Sequence, residues 1–400
     1  MIEIDGKYNT ARVYTDNIEE AAYKQILNLM NQKFAEGSTF AIMPDCHAGA
    51  GCVIGLTMKI IDKVVPNLVG VDIGCGMLVV KVDKSFKLDL PKVDEIWHND
   101  IPSGMKHRTT KHRFADYAKI EDIIAPVEVD KLKLSIGTLG GGNHFGEINV
   151  DDEGNHYIVI HSGSRHLGIE VCRHYQNLAI KYHKGKKKSD LSVIERLKKE
   201  GRQSEIEAVL KASKESLPSI PDELAYLEGQ DLEDYLHDMK IAQEYAIWNR
   251  EAMMDVLLQG LGIGKDDILE KFCTIHNYID IENRILRKGS ISLQLGEVAI
   301  IPMNMRDGSL IVEGKGNVDW NYSGPHGAGR LMSRSKAKET LDMDEFTKSM
   351  NGIYTTCVEK STIDESPMAY KPMDEIIRNI HDTAEIVKII KPVYNFKAAE

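Results

Sequence analysis

Five short segments combine side chains that bind metals or phosphate with glycines that let backbone approach a ligand closely. These segments are Met43–Gly51, Val69–Gly76, Gly140–Glu147, Val159–His166 and Tyr322–Arg334. Imidazole, thiolate and carboxylate groups bind metals, and arginine binds phosphate through its planar fork. Together they predict metal-dependent phosphoryl chemistry, and their spacing alone fits a metallohydrolase equally well.

The segments around Asp72 and His276 offer metal ligands. Asp72 and Cys75 lie three residues apart in a glycine-flanked turn, which can direct a carboxylate and a thiolate at one ion. The alternative is a turn-capping aspartate beside a small buried cysteine. His276 by itself also fits a buried structural histidine.

The segment Gly140–Glu147 places three glycines before Asn143, His144 and Glu147. Free N–H groups of such a loop can cradle phosphate oxygens, and Asn143 and Glu147 can pair with nucleotide edges or hydroxyls. A mobile turn capped by Asn143 is the alternative interpretation.

Two further histidines are each followed by arginine. His161 and Arg165 stand where a strand runs into a polar turn, and His326 lies between glycines ahead of Arg330 and Arg334. This arrangement can present a nucleophilic nitrogen to a phosphate whose charge the arginines offset. A helix N-terminus with basic surface residues would also explain the second segment.

Strands and helices alternate along the chain. Apolar alternation predicts strands over Phe40–Met43, Val53–Ile60, Met77–Val82, Tyr157–Ile160 and Val298–Pro302. Helical periodicity predicts helices over Asn17–Phe34, Gly168–His183, Leu191–Ser213, Leu232–Gln259, Asp342–Thr356 and Met373–Ile390. We therefore expect an α/β or α+β fold, with the charged stretch Lys184–Gly229 as a helical insertion within one domain over 1–400.

Composition sets limits on location and partners. The chain is 42% hydrophobic and 28% charged, and it lacks both a long apolar run and a secretory leader, so we expect a cytoplasmic protein without membrane contact. Its six scattered cysteines favour reduced thiols. A net charge of −11 argues against binding nucleic acid with the whole surface, so any such contact must be local.

The motifs as a set resemble the RtcB RNA ligases. They are D-x-H-x-G-x-G at Asp45, V-D-I-G-C-G at Asp72, G-G-G-N-H-F at Asn143, H-S-G-S-R at His161, H-N-Y at His276 and H-G-A-G-R at His326. The match runs in order from about residue 40 to the C-terminus. It implies a single large domain with central β-sheets around a deep metal-containing cleft and a peripheral insertion.

The resemblance also implies a metal centre with two Mn²⁺ ions. Cys75 would bridge them, with His144 and His161 on one ion and Asp72 and His276 on the other. Thiolate and imidazole by themselves would suggest zinc, so manganese rests on the family.

The resemblance further implies a nucleotide and a nucleophile. His326 would attack the α-phosphate of GTP, with Asp45 holding its imidazole. The implied GTP-binding residues are Asn143, Glu147, Ser309, His326, Gly327, Gly329 and Lys397. The implied phosphate or RNA contacts are Arg165, Arg330 and Arg334.

The implied substrate is RNA with a 3′-phosphate or 2′,3′-cyclic phosphate end and a 5′-hydroxyl end, in RNA repair or tRNA splicing, with room for an activating protein partner. Pro302–Ser309 departs from the P-G-S-M-G-T loop of many family members and indicates a divergent subgroup. The alternative is a metal-dependent 2′,3′-cyclic phosphodiesterase or nuclease, which would not need His326. A non-catalytic RNA-binding module would have lost ligands or nucleophile, and the sequence retains both.

Overall fold

The structure, a computed structural model, describes residues 1–199, Arg202 and 220–398. Its strands are β1 (Ile2–Asp5), β2 (Thr10–Val13), β3 (Phe40–His47), β4 (Ile54–Lys59), β5 (Lys63–Val64), β6 (Gly76–Val82), β7 (Phe145–Val150), β8 (His156–Ser162), β9 (Leu227–Glu228), β10 (Ile268–Ile275), β11 (Asn277–Asp280), β12 (Ile285–Lys288), β13 (Ser290–Ser292), β14 (Val298–Asn304), β15 (Gly308–Gly314), β16 (Ser323–Pro325) and β17 (Ala384–Lys397). Its helices are α1 (Glu20–Met30), α2 (Leu90–Asn99), α3 (Val129–Ser135), α4 (Arg165–Lys199), α5 (Gln230–Leu261), α6 (Arg334–Thr340), α7 (Met343–Ser349) and α8 (Met373–Asn379).

Two large sheets form the framework of this mixed α/β fold. One has six strands in the order β1-β2-β3-β4-β12-β11, and the other has seven in the order β10-β6-β8-β7-β17-β15-β14. Strand β6, second from one edge of the seven-stranded sheet, reads G-M-L-V-V-K-V and is almost continuously buried, as expected for a strand covered on both faces. The expected α/β class is thus confirmed.

The long helix α5 covers the seven-stranded sheet. It packs against β6 and β8 and also against α2 and α4. The carboxylates of Asp231 and Glu233 in its first turn interact favourably with the positive end of the helix dipole. The helix ends at Gly262, which adopts the left-handed conformation at φ 73°. This helix therefore lies directly behind the strands that carry the candidate ligands.

All five strands predicted from apolar alternation are present, but two helix predictions are wrong in part. The helix predicted over Met373–Ile390 ends at Asn379, and the chain continues as β17. Here Ile386, Ile389 and Ile390 belong to a β-branched run that pairs with β15 on one side, while the later part of β17 pairs with β7. Pairing in the middle of a sheet overrides the helical spacing.

The helix predicted over Asp342–Thr356 ends at Ser349, because Gly352 follows in a left-handed turn at φ 91°. In the predicted insertion over 184–229, α4 continues to Lys199, while 200–219 apart from Arg202 lie outside the described residues. Much of the helix predicted over 191–213 lies there too. Within the described ranges, no helix has the combination of length and apolar character that crossing a membrane requires.

Strand β17 pairs with both β15 and β7 in the seven-stranded sheet. Substitution of Phe396 in this strand tests how much its packing contributes to stability. Its buried ring stacks on Trp97 of α2 with centroids 5.2 Å apart. We predict that Phe396→Ala lowers the free energy of unfolding by about 3–5 kcal/mol, because the cavity left behind cannot fully collapse. Val387→Ala, on an exposed position of the same strand, should cost less than about 1 kcal/mol. Urea unfolding measures both, and equal losses would contradict this description of the core.

Candidate active site

Neighbouring strands of the seven-stranded sheet bring three predicted ligands to one end. Cys75 immediately precedes β6, His161 lies in β8 and His276 follows β10, and the N–H of His276 donates to the Cys75 carbonyl at 2.9 Å. A Cβ at Gly76 would lie 2.3 Å from the Thr274 carbonyl oxygen, so glycine permits the close approach of β6 and β10.

Asp72 and His144 complete the cluster. Asp72 lies in the turn before Cys75, and His144 precedes β7, which pairs with β8. The Nε2 atom of His144 lies 3.0 Å from Asp72 Oδ2 and 3.5 Å from Cys75 Sγ. All five predicted ligands therefore meet in one place.

The ligand atoms fall into two groups that share Cys75. One group is Asp72, Cys75 and His144, and the other is Cys75, His161 and His276, with the atoms of each within 4.8 Å of one another. His161 Nε2 lies 3.2 Å from Cys75 Sγ and 3.0 Å from His276 Nε2. This grouping differs from the division that the resemblance implied, because the short contacts pair His144 with Asp72 and His161 with His276.

The donor set fits divalent metal ions. The Nδ1 atoms of His144 and His161 lie 2.9 and 3.1 Å from the carbonyl oxygens of Leu139 and Asn143, which directs their Nε2 atoms at the cluster. Donors bound to one ion at about 2.0–2.3 Å lie roughly 3–4 Å apart, as these atoms do. A shared thiolate would allow two ions.

Burial dominates the electrostatics of this cluster. It raises the pKa of the Cys75 thiol well above its usual value, with a further rise from Asp72, and lowers the pKa of His161 and His276 well below theirs. Burial also acts to raise the pKa of Asp72, but the charge and hydrogen bond of His144 outweigh it and bring the value to about 2. A bound divalent cation would reverse the effect on the thiol, since it stabilises the thiolate.

Beside this cluster, His326 pairs with a buried carboxylate. His326 follows β16, and its Nδ1 lies 2.7 Å from Oδ2 of Asp45 in β3, which also accepts from the backbone N–H groups of His326 and Gly327. Asp45 is fully buried. The ring of His326 lies 4.8 Å from that of His276, measured between centroids. Because Nδ1 faces the carboxylate, Nε2 is the ring nitrogen left to act as a nucleophile.

Both features open onto a cavity of about 210 Å³. Among the predicted residues, its walls include Asn143, Glu147, His161, His276, His326, Gly327, Gly329, Arg330, Arg334 and Lys397. Glu147 is buried and accepts from the side-chain amides of Asn149 at 2.7 Å and Asn395 at 2.9 Å. Burial raises the pKa of its carboxyl to about 7, against the opposing effect of these hydrogen bonds and the charge of Lys397.

Cations gather around Glu365 at the wall of the cavity. Arg330 Nη1 lies 3.3 Å and Arg334 Nη2 3.1 Å from Glu365 Oε1, while Lys397 Nζ bonds Oε2. Burial acts to raise the pKa of Glu365, but the charges of Lys397 and Arg334 outweigh it and lower the value. Two of the three predicted phosphate-binding arginines, Arg330 and Arg334, are thus held close together by one carboxylate.

Two of the predicted nucleotide, phosphate or RNA contacts, Ser309 and Arg165, lie off the cavity wall. Ser309 is buried in β15, and the loop residues Pro302–Met305 line the cavity instead. Arg165 begins α4 and donates to Thr138 Oγ1 at 3.0 Å and to the Gly104 carbonyl at 2.6 Å. Neither position brings the side chain to the cavity.

Sequence reasoning missed other cavity residues. Glu365, Tyr370 and Asn395 line it, yet they stand outside glycine-rich motifs and arrive there only through tertiary packing. His47 also lines it, with Nδ1 2.9 Å from the Asp45 carbonyl oxygen. Its place in D-x-H-x-G-x-G was a signal, but no role was assigned to it.

A cluster of thiol, imidazole and carboxylate groups that could hold metal ions thus lies beside an Asp–His pair, and both reach one cavity through His161, His276 and His326. The family model for tRNA-splicing ligase RtcB matches residues 25–132 and 122–398. The chain belongs to the RtcB family of RNA ligases.

Individual relatives cover nearly the whole chain. RNA-splicing ligase RtcB of Escherichia coli strain K12 is 31% identical over 417 aligned residues, which cover 94% of each chain. RNA-splicing ligase RtcB2 of Escherichia coli strain ATCC 25922 is 25% identical, with 95% of this chain and 93% of its own covered. tRNA-splicing ligase RtcB of Aeropyrum pernix is 28% identical, with 85% and 83% covered.

The shared position of Cys75 generates a prediction about metal content. We predict that Cys75→Ala loses both ions, because each ligand group loses its sulfur. As a control, Cys172→Ala removes a different buried thiol, which lies in α4, and should keep the wild-type metal content. Manganese per chain, measured by elemental analysis after dialysis, compares the variants. Unchanged manganese in Cys75→Ala would refute a shared ligand.

Proposed function

We propose that this RtcB-family enzyme joins an RNA 3′-phosphate or 2′,3′-cyclic phosphate end to a 5′-hydroxyl end, using GTP and two Mn²⁺ ions. The observation that carries this proposal is the Asp45–His326 pair, whose imidazole lies 4.8 Å from the ring of His276 in the five-ligand cluster and lines the same cavity as His161 and His276. A metal cluster alone would suffice for a cyclic phosphodiesterase or nuclease. A nucleophilic histidine held by a buried carboxylate would have no use in that alternative.

The first step is guanylylation of His326. Its Nε2 atom attacks the α-phosphorus of GTP, a P–N bond forms, and the bond to pyrophosphate breaks. Asp45 accepts the Nδ1 proton in a charge-assisted hydrogen bond and so stabilises the positive charge that develops on the ring. Arg330 and Arg334 lie where their guanidinium groups can offset triphosphate charge.

Other residues of the cavity wall would hold the nucleotide. Asn143, Gly327 and Gly329 lie where they can contact its phosphates or ribose, and Glu147 and Lys397 where they can contact guanine. A carboxylate facing the N1 and N2 donors of guanine favours GTP over ATP. Ser309 remains part of the proposal only if the loop before it rearranges, since it is buried off the wall.

The proposal continues with the steps on RNA. Hydrolysis opens a 2′,3′-cyclic phosphate to a 3′-phosphate, which takes GMP from His326 as the P–N bond breaks. The 5′-hydroxyl then attacks the activated phosphorus, and GMP leaves. Two divalent ions would polarise phosphoryl oxygens and offset charge. Asp72, Cys75, His144, His161 and His276 would hold them, while Arg165 could contact RNA phosphate.

The biological setting stays a prediction. A divergent Pro302–Ser309 loop makes repair of cleaved RNA as good a proposal as tRNA splicing. A cytoplasmic location and an activating protein partner also remain predictions.

Removal of the nucleophile tests the proposal. We predict that His326→Ala abolishes transfer of label from α-³²P GTP to the protein, because the side chain that forms the P–N bond is gone. His381→Ala, an exposed histidine outside the cavity, should label like the wild type. Denaturing gels with Mn²⁺ measure the label, with ATP for comparison. Label in His326→Ala would place the nucleophile elsewhere.

The raised pKa of Glu147 generates a pH dependence. With a pKa of about 7, the carboxylate that guanine requires is scarce at pH 6 and dominant at pH 8. We predict that KM for GTP falls about tenfold over this range, as the charged fraction of one group changes by that factor. Glu147→Gln should bind GTP weakly with no such dependence. The rate of guanylylation against GTP concentration measures KM, and the same pH profile in both proteins would contradict this role.

A further inference from the structure

Arg250 of α5 is buried in an unusual way. Its side chain is fully inaccessible to solvent, yet in the described part of the chain no carboxylate lies within salt-bridge distance of its guanidinium. An unpaired buried charge is costly, and an apolar side chain of similar volume would avoid that cost. The position therefore calls for an explanation other than packing.

The guanidinium contacts each chain segment that carries a ligand of one group. Nη1 donates to the Gly74 carbonyl at 2.7 Å and to the Ser162 carbonyl at 2.6 Å. Gly74 precedes Cys75, and Ser162 follows His161. Nη2 lies 3.5 Å from Sγ of Cys273, which stands in β10 three residues before His276.

The neighbouring residue makes corresponding contacts to the other group. The Asn249 amide oxygen accepts from the N–H groups of Gly137 and Thr138 at 2.9 and 3.0 Å, and its amide nitrogen donates to the Thr138 carbonyl at 3.1 Å. This segment leads into Leu139, whose carbonyl oxygen lies 2.9 Å from His144 Nδ1. Consecutive residues of α5 thus contact chain segments that adjoin both ligand groups.

Charge and close packing also connect Arg250 and its helix to the metal-ligand cluster. Cys75 as a thiolate and Asp72 would bring two negative charges into a buried site, and the Arg250 cation behind them offsets part of that charge. A Cβ at Gly74 would lie 2.8 Å from Cβ of Ala246 on α5, so the turn is pressed against the helix. The backbone that adjoins Cys75 is therefore in direct contact with α5.

We propose that Arg250 is a positioning residue that sets the spacing of Cys75, His161 and His276 for metal binding, through the backbone carbonyls that it holds. The inference rests on the metal centre of the proposed function. Arg250 is not among the residues that line the cavity, so it would act through the ligands.

The test compares Arg250→Met and Arg250→Lys with Arg287→Met. Arg287 of β12 is another fully buried arginine, but it donates to Ser323 Oγ at 2.8 Å and to Tyr278 Oη at 2.9 Å, and neither of these is a proposed ligand. Calorimetric titration with Mn²⁺ alone gives affinity and stoichiometry, and urea unfolding of the metal-free proteins gives stability.

We expect Arg250→Met to bind Mn²⁺ at least about tenfold more weakly than Arg287→Met at a similar loss of stability. Arg250→Lys keeps the charge but lacks the fork that reaches two carbonyls, so its affinity should be intermediate. Raising Mn²⁺ should restore the guanylylation rate of Arg250→Lys, with KM for GTP unchanged.

Other results would overturn the inference. Wild-type Mn²⁺ affinity in Arg250→Met would do so, and so would equal weakening in Arg287→Met, which would show a general effect of stability. If Arg250→Met does not fold, wild-type affinity in Arg250→Lys would overturn it instead. If the wild-type protein binds no divalent ion, the metal centre of the proposed function is refuted. If the wild type and Arg250→Met bind ions equally well, the metal centre stands and only the role of Arg250 is refuted.

Discussion

The site depends on the pairing of β6 with β8 on one side and β10 on the other. That pairing places Cys75, His161 and His276, which are far apart in sequence, at the same end of one sheet. Gly76 makes it possible, because a side chain there would collide with the Thr274 carbonyl. The sulfur at the centre of the cluster therefore owes its position to a backbone constraint.

The charges of the cavity are balanced locally, although the protein carries a net charge of −11. Arg330, Arg334 and Lys397 meet at Glu365, so three cations are concentrated at the wall of the cavity beside one carboxylate. Ligands, nucleophile and cations come from both sides of the stretch 184–229. This supports one active site built by the whole chain.

Much of the site could be predicted from sequence because its ligands sit beside glycines at strand ends. Asp45, Asp72 and His144 lie in segments of this kind. Glu365 and Asn395 do not, since only tertiary packing and the pairing of β17 with β7 bring them to the cavity. The helix predicted over Met373–Ile390 is wrong beyond Asn379 for the same reason. Its apolar spacing fits a helix, but pairing with β15 and β7 makes the segment a strand. No sequence motif marks Arg250 within its helix. Only the three-dimensional structure shows that its guanidinium contacts the carbonyls of Gly74 and Ser162.

The most direct test of the account is end joining itself. Two RNA fragments, one ending in a 2′,3′-cyclic phosphate and one beginning with a 5′-hydroxyl, would be incubated with the protein, Mn²⁺ and GTP, and the products resolved by length. The account predicts a joined RNA that requires both GTP and Mn²⁺. Conversion of the cyclic phosphate to a monoester, with no joined product and no effect of GTP, would contradict it and favour a phosphodiesterase.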